Sequence, residues 1–361
     1  MSCYLEGGIK NLSWALVDTK VQYATTELAD KKVKLSIQAT VNTVSSGKGK
    51  TASINYLLDA YGRVIQSGNM AVTREPYSGN IVQIINEGIT EIRTYNSWEL
   101  LTSQRVTFQN QLYYEAHYEY DGLQRIKSAV ENIQGSTTHY TYSYTAAGQL
   151  TSVYANNVLR EQYQYDSFGN RTSANTGGYA YSYQYANDRL TNYSWLQSGN
   201  TRKKEFAYNH SGQLLGTTNK TISGSSQQVT SSRNYTYDVL GNLKAASWVS
   251  QTQDYRYDPQ NRRIASYANG AVKSKLVYGV GSVPVAELNE NDRIIHTFIY
   301  ADGYTPVLLS KGSVDYYLIS DIRGSVRMVV KSSTGEVRQQ LTYDAFGKVL
   351  SDTSPGYTPF G

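Results

Sequence analysis

Two glycine-rich stretches contain residue types that bind phosphate or nucleotides in other proteins. The stretch "GKGKT" at 47–51 has the Lys and Thr of a phosphate-binding loop, but Val44 stands where this loop requires its first Gly. The stretch "YGVGSVP" at 278–284 lacks the third Gly of a dinucleotide-binding turn, and no helical pattern follows it. Neither stretch therefore predicts a nucleotide site, and we expect no cofactor.

Residues for metal binding or nucleophilic catalysis are also poorly placed. Cys3 is the only Cys, so an internal disulfide and a Cys-based metal cluster are both excluded. Ser282 follows Gly-Val-Gly instead of lying in the Gly-x-Ser-x-Gly turn of hydrolases. The four His residues lack the spacing of zinc ligands; they are His117, His139, His210 and His296. We therefore expect no metal site and no catalytic residue.

Charge and hydropathy argue against two classes of partner. Lys and Arg number 34 against 29 Asp and Glu, a net charge of +5, but the charges lie singly along the chain. Proteins that bind nucleic acids gather their basic residues into patches, so we expect no nucleic-acid partner. No apolar run approaches the roughly 20 residues of a membrane span. The N-terminal "MSCYLEGGIK" also lacks the basic and apolar regions of a signal peptide. We expect no membrane span and no visible signal peptide.

The elements that position any site are strands, because Tyr recurs at every second position. The chain has 34 Tyr but only 6 Phe and 4 Trp. Side chains two positions apart point to the same face of a strand, so the runs Tyr140–Tyr144 and Tyr179–Tyr185 place their Tyr residues on one face. Such a face suits either a core ladder of Tyr rings or a surface that meets water or a guest molecule. The sequence leaves both readings open.

A turn signal follows these Tyr residues and repeats along the chain. It occurs as "YQYDSFGNRT" at 163–172, "YTYDVLGNLK" at 235–244 and "LTYDAFGKVL" at 341–350. The Asp caps backbone amides of the turn, and the Gly adopts the positive φ that closes a tight connection between antiparallel strands. The residues that we predict to define the repeat are Tyr165, Asp166, Gly169, Tyr208, Gly212, Tyr237, Asp238, Gly241, Tyr257, Asp258, Tyr343, Asp344 and Gly347.

The period of the repeat predicts the fold class. The last Tyr before each turn recurs every 20–29 residues between Tyr95 and Tyr257, which is the period of stacked hairpin units. About twelve units would make some two dozen strands and a sheet about 110 Å wide, and such a sheet coils because strand twist accumulates. We therefore predict an all-β fold in which a long antiparallel β-sheet of hairpins coils into a spiral, hollow, barrel-like shell.

The repeated phrase resembles the YD or Rhs repeats of bacterial polymorphic toxins, of the C components of insecticidal toxin complexes and of the teneurins of animals. The resemblance covers about 54–361, and the stretch from 316 onwards looks like the entry to the Rhs-associated core. It implies a division into an N-terminal β segment at 1–53, a repeat array at 54–315 and the start of the core segment at 316–361. The family's self-cleavage region has no counterpart here, so Asp344 and Asp352 are not assigned as catalysts. Outside the array, alternation predicts a strand at 33–42, and "TTELADKK" at 25–32 favours a short helical turn.

The resemblance also implies a function. We expect a non-enzymatic structural shell that encapsulates and delivers a toxic polypeptide encoded C-terminal to this chain, with that polypeptide or the remaining shell segments as partners. The implied location is secreted or at the cell surface. The alternative is an extracellular adhesion module of the same repeat type, in which exposed Tyr side chains bind glycans or a receptor.

Overall fold

The computed structural model of this chain describes residues 11–14, 18–27, 33–42, 50–279 and 281–360. These residues form 31 strands and no helix. The strands are β1 Asn11–Trp14, β2 Asp18–Glu27, β3 Val33–Asn42, β4 Lys50–Leu58, β5 Val64–Ser67, β6 Met70–Arg74, β7 Ile81–Asn86, β8 Ile89–Tyr95, β9 Leu101–Phe108, β10 Gln111–Tyr120, β11 Ile126–Ile133, β12 Ser136–Tyr144, β13 Leu150–Ala155, β14 Val158–Tyr165, β15 Arg171–Thr176, β16 Tyr179–Ala186, β17 Arg189–Gln197, β18 Asn200–Tyr208, β19 Leu214–Ser223, β20 Ser226–Tyr237, β21 Leu243–Trp248, β22 Gln251–Tyr257, β23 Arg263–Ala268, β24 Ala271–Tyr278, β25 Pro284–Leu288, β26 Ile294–Ile299, β27 Leu308–Lys311, β28 Val314–Ser320, β29 Val326–Lys331, β30 Val337–Tyr343 and β31 Val349–Asp352.

One continuous ribbon contains all of these strands. Each strand pairs antiparallel with the next strand in sequence, from β1 with β2 to β30 with β31. In the part of the chain that the structure describes, β1 and β31 each pair with one neighbour, so the sheet is open at both ends. The predicted all-β fold, a long antiparallel sheet of hairpins, is therefore confirmed.

The N-terminal region differs from the expectation in two respects. The ribbon exceeds the expected two dozen strands, partly because β1, β2 and β3 extend it at its N-terminal end. The helical turn predicted at 25–32 is wrong for Thr25–Glu27, because these residues pair with Val33–Leu35 in the β2–β3 ladder; 28–32 lie outside the described residues. The division of the chain at 53/54 and 315/316 stays a prediction.

Two kinds of turn recur between the strands, two-residue turns mainly on one rim of the ribbon and five-residue turns mainly on the other. The exceptions are the two-residue turn at 187–188 and the five-residue turns at 289–293 and 332–336. The two-residue turn Asn156–Asn157 between β13 and β14 has φ values of 51° and 63°, as a tight hairpin of this type requires. The five-residue turn at 166–170 between β14 and β15 begins with Asp and contains Gly169 at a φ of 88°. We call the rim that contains the turn at 166–170 the Asp rim. It carries the repeated phrase.

A β-bulge accompanies the Tyr that precedes a turn of the Asp rim. Gln164 lies opposite Ser173, but Tyr165 lies opposite Arg171, so β15 contains one extra residue. Because a bulge increases the right-handed twist of its strands, its recurrence makes the ribbon coil. The same shift occurs at Tyr95, Tyr120, Tyr144, Tyr185, Tyr208, Tyr237, Tyr257, Tyr278 and Tyr343.

The register assigns the repeat Tyr residues to one face of the ribbon. Tyr163 lies opposite Ala174, Ala174 opposite Tyr181, and Tyr181 opposite Trp195. Residues directly opposite each other share a face. We call the surface with these residues face A and the other surface face B. The alternating residues of β16 show the contrast, because its Tyr side chains are half-buried on face A and the residues between them are exposed on face B.

The ribbon rolls up so that face A of early strands meets face B of late strands. Face A of β7–β10 contributes Ile84, Val106 and Tyr114 to a buried core, and face B of β28 and β29 contributes Ile319 and Met328 to the same core. A sandwich made by folding the sheet over would bring equal faces together. Contact between opposite faces instead requires a spiral, in which the late strands lie inside on the concave face A.

Two further clusters complete the packing. One joins Ile54 and Tyr56 of β4 to Val277 and Leu288 of the late strands. In the other, Phe360 covers face A of the late strands, and its ring lies 5.1 Å from that of Phe298. Each of these three clusters is therefore formed by side chains distant in sequence. The described residues include no helix that is long and apolar enough to span a membrane.

The spiral predicts different outcomes for two Ile residues of the same ribbon. We expect Ile319→Ala to lower the free energy of unfolding by about 2–5 kcal/mol, because the side chain is fully buried between layers. Ile92→Ala is the matched control: Ile92 is 44% exposed on face B of β8, so its change is expected within about 0.5 kcal/mol. Urea unfolding of both variants checks this. Equal effects would contradict the rolled arrangement.

Candidate functional site

The repeat Tyr hydroxyl closes the open end of a hairpin. The hydroxyl of Tyr165 donates to the carbonyl of Leu150 at 2.9 Å, which links the end of β14 to the start of β13. The bond satisfies a strand-end carbonyl while the ring stays on face A. The hydroxyls of Tyr208, Tyr237, Tyr257 and Tyr343 donate in the same way to the carbonyls of Leu190, Leu214, Leu243 and Val326 at 2.8–3.0 Å.

The repeat Asp caps the turn that follows. Oδ1 of Asp166 accepts the backbone N–H groups of Phe168 at 3.0 Å and Asn170 at 2.8 Å, and Oδ2 accepts the Asn170 side-chain amide at 3.1 Å. At Asp238 the hydrogen bond from the Asn242 side chain lowers the pKa of the carboxyl. The same two-amide cap occurs at Asp238, Asp258 and Asp344. The glycines Gly169, Gly212, Gly241 and Gly347 have φ values of 83–88°.

These predicted residues lie along one rim of the ribbon and do not converge on a single pocket. Tyr343, Asp344 and Gly347 line a cavity of about 320 Å³ between the layers, together with Glu131 and Glu161. The other predicted residues belong to earlier turns of the same rim. Their requirement for ribbon formation stays a prediction.

Buried polar contacts hold the layers together at three carboxylates of face A. The first is Glu91, which accepts the Tyr317 hydroxyl at 2.7 Å and the Gln104 amide at 2.9 Å. The Gln104 amide also donates to the carbonyl of Ser320 at 3.0 Å. Because residues of both layers share this network, it fixes their relative position. Burial raises the pKa of the fully enclosed Tyr317 hydroxyl, so this group stays a donor.

The second contact is an ion pair between layers. Nη2 of Arg327 lies 2.8 Å from Oε2 of Glu131, and the hydroxyl of Tyr114 donates to Oε1 of Glu131 at 3.1 Å. Burial raises the pKa of Glu131, and the positive charge of Arg327 opposes this rise. Both charges are largely removed from water, so each depends on the other.

The third contact seats a turn of the Asp rim on face A. The backbone N–H of Ala345 donates to the carboxylate of Glu161 at 3.1 Å. The Phe346 ring lies 4.8 Å from the Tyr163 ring in an edge-to-face arrangement, and the Arg171 guanidinium lies 4.8 Å from the Phe346 ring. One segment of chain is thus held on face A by a ring, a cation and a backbone hydrogen bond.

Beyond this turn, face A of β16–β18 forms a group of neighbouring aromatic rings that we call the aromatic platform. Its ring centroids lie 5.6–6.4 Å apart, with interplanar angles of 30–67°. Lys204 lies 5.6 Å from the Phe206 ring. The platform consists of Tyr179, Tyr181, Tyr183, Tyr193, Trp195 and Phe206.

The described residues contain no group of three or more His, Cys, Asp or Glu side chains that could hold a metal ion. His296 contacts Glu287 at 2.7 Å, and Cys3 lies outside the described residues. The contacts of Glu91, Glu131 and Glu161 instead hold face A against the late strands and the turn at 344–348. We call the contacts of Glu91 and Glu131 with the late strands the seam. The sequence analysis did not identify these two carboxylates. A signal was present, because alternation puts them on the same face as Ile89 and Ala129.

Comparisons with known proteins identify a matching family and several similar proteins. The family model described as Teneurin YD-shell matches residues 14–361. Teneurin-3 of Danio rerio is 26% identical over 327 residues, which are 83% of this chain, and the chain spans 11% of that relative's length. The tRNA3(Ser)-specific nuclease WapA of Bacillus spizizenii is 21% identical over 52% of this chain and 7% of its own length. A crystal structure of TcdB2-TccC3-Cdc42 aligns with 92% of this chain and 25% of that chain at 11% identity, with a TM-score of 0.43.

The caps of the Asp rim lead to a stability prediction. We expect Asp258→Ala to lower the free energy of unfolding by about 1–3 kcal/mol, because it leaves the amides of Gln260 and Arg262 without their carboxylate acceptor. Asp254→Ala is the control: it removes a carboxylate four residues earlier, on face B of β22, the strand that precedes this turn. Urea unfolding measures both. A loss in the control as large as in Asp258→Ala would contradict a capping role.

Proposed function

This chain belongs to the teneurin YD-shell family, and from that premise we propose that it is the wall of a YD shell that encloses a toxic polypeptide and carries it outward. In this proposal the chain is structural and not enzymatic. Its partners are the enclosed polypeptide and further shell segments, and it works as a secreted or cell-surface protein.

The observation that carries the proposal is the rolled ribbon with its two unlike faces. Face B of the middle strands is polar and exposed, as at Thr141, Gln164 and Ser182. Face A is concave and carries Tyr rings, each with a large apolar surface and a hydroxyl that tolerates water. A sheet with a polar, solvent-exposed face B and an aromatic, concave face A is suited to surround a polypeptide of varied side-chain composition.

The seam between layers supports a wall that keeps its curvature. The contacts of Glu91 with Tyr317 and of Glu131 with Arg327 join residues that are 226 and 196 positions apart. Breaking a buried ion pair by removing one partner typically costs about 3–5 kcal/mol. A roll with such contacts resists opening, as a container must.

The bacterial relative supports a toxic guest. WapA is named as a nuclease, yet the match with this chain spans only 7% of its length. We propose that this chain corresponds to a shell part of such a protein and not to the part that cleaves RNA.

Enclosure predicts protection from protease in the full-length product of the gene that encodes this chain. We expect the guest polypeptide to resist a broad-specificity protease in the wild type. In Ile319→Asp it should be cut at least about tenfold faster, because a carboxylate between the layers opens the roll. Ile92→Asp, which places the same carboxylate on exposed face B, is expected to match the wild type. Mass spectrometry of the time course locates the cuts. Cleavage of the guest at one rate in all three proteins would contradict enclosure.

Adhesion is the second candidate, because the Asp rim exposes large side chains. Tyr61, Trp98 and Phe168 are 79%, 70% and 81% exposed, and aromatic rings of this kind stack on sugars. We expect no saturable binding of the isolated chain to a glycan array. Saturable binding that is lost in the triple Ala variant of these residues, and kept in the exposed control Leu196→Ala, would instead establish adhesion.

A further inference from the structure

A large part of face A has no layer above it. We call face A of β16–β22 the open face; it includes the aromatic platform and begins beside Arg171 of β15, where Phe346 is seated. All residues from 171 to 257 are described, and the three buried clusters include none of them. Its rings are therefore half-buried by one another and not by a covering segment.

The open face carries positive charge without compensation. Register places Arg202 opposite Trp195 and Lys204 opposite Tyr193. Arg171 lies 4.7 Å from the Tyr183 ring, and Arg233 lies 4.9 Å from the Trp248 ring. These four cations lie on face A, although in the sequence they are spread over more than sixty positions.

The carboxylates of the same strands lie elsewhere. Between residues 171 and 257 they are Asp188, Glu205, Asp238 and Asp254. Glu205 lies opposite Asn192, and Asp254 opposite Ala245, which are face B positions. Asp188 and Asp238 belong to turns. Over this stretch, all of which is described, the open face contains no carboxylate and its field is positive.

Two covered parts of face A show which occupant this chemistry holds. Phe346 is seated between Tyr163 and Arg171. On face A of β27, Nζ of Lys311 lies 3.6 Å from the Tyr357 ring and donates to the Tyr357 carbonyl. In both cases the occupant is a stretch of polypeptide with an aromatic side chain, held by a cation.

We propose that the open face binds extended polypeptide segments that combine aromatic with carboxylate side chains. The inference deepens the proposed function, on which it rests, by naming the chemical class of the enclosed polypeptide. Aromatic side chains contact the platform, and carboxylates pair with Arg202, Lys204 and Arg233. Single-stranded nucleic acid is less well matched, because base stacking uses flat, free ring faces, and the platform rings already pack against one another at 30–67°.

Three fluorescently labelled probes test the proposal on the full chain. One is the eight-residue peptide Asp-Ser-Phe-Ser-Asp-Ser-Phe-Ser, whose Asp and Phe side chains share one face when the peptide is extended. The second has Lys in place of each Asp, and the third is single-stranded oligothymidylate of eight nucleotides. At about 0.15 M salt, where exposed long-range attraction is largely screened, we expect fluorescence anisotropy to show binding of the acidic peptide at least about tenfold tighter than of the basic one, a difference of about 1.4 kcal/mol.

Charge-reversal variants assign the binding to the open face. Arg202→Glu, Lys204→Glu and Arg233→Glu together should remove the preference for the acidic peptide. The control reverses three exposed cations outside the open face, Lys127, Arg256 and Lys273, and should keep the preference at the same net charge. Circular dichroism and thermal unfolding check that each variant folds, and the matching Gln triple variant should lose the preference in part.

Several results would overturn the inference. They are equal binding of both peptides, tighter binding of the basic peptide, binding of oligothymidylate alone, absence of binding, and equal loss in the control triple variant. If protease protection holds and the peptide preference fails, the shell function stands and only the charge selectivity is wrong. If protection fails and the preference holds, the open face is a peptide-binding surface of a protein that does not enclose its partner.

Discussion

The curvature of this protein depends on a β-bulge repeated beside one Tyr per unit. A regular antiparallel ladder would let the ribbon twist without a preferred place to bend, whereas the extra residue on the strand opposite Tyr165, and the same bulge at its equivalents, adds twist at one recurrent position of the unit. The Tyr hydroxyl then fixes the strand end beside the bulge, and the Asp closes the turn that follows. The β-bulge, the Tyr hydroxyl bond and the Asp cap thus lie within a few residues of one another. The spiral is the accumulated result of these local devices.

The seam between the layers contains polar contacts, because Glu91 and Glu131 of face A meet Tyr317 and Arg327 of the late strands there. A core made from two equal apolar faces could slide in register, because hydrophobic contact is not directional. Glu91 and Glu131 stand among apolar neighbours of face A, and each finds its partner on one late strand only. Buried pairs of this kind are costly to desolvate. In return they specify which part of the ribbon lies over which.

Strand faces and turns could be predicted from the sequence, whereas contacts between residues far apart in sequence could not. Alternation of Tyr and the Asp-x-x-Gly spacing identify strand faces and turns, because both depend on residues close in sequence. The contact of Tyr317 with Glu91 joins residues 226 positions apart, and no period in the sequence relates them. The cations on and beside the open face were missed for a similar reason. Arg171, Arg202 and Arg233 appear isolated along the chain, and only strand pairing gathers them on one surface.

Unit-by-unit construction has an evolutionary consequence. Adding one residue within a strand would turn its Tyr side chains to the outside, because a shift by one position exchanges the two faces. Duplicating a whole unit preserves orientation and simply lengthens the winding path. Tandem duplication and deletion of complete repeats can therefore change the length of the coiled sheet in discrete steps, and each added unit keeps its Tyr side chains on face A.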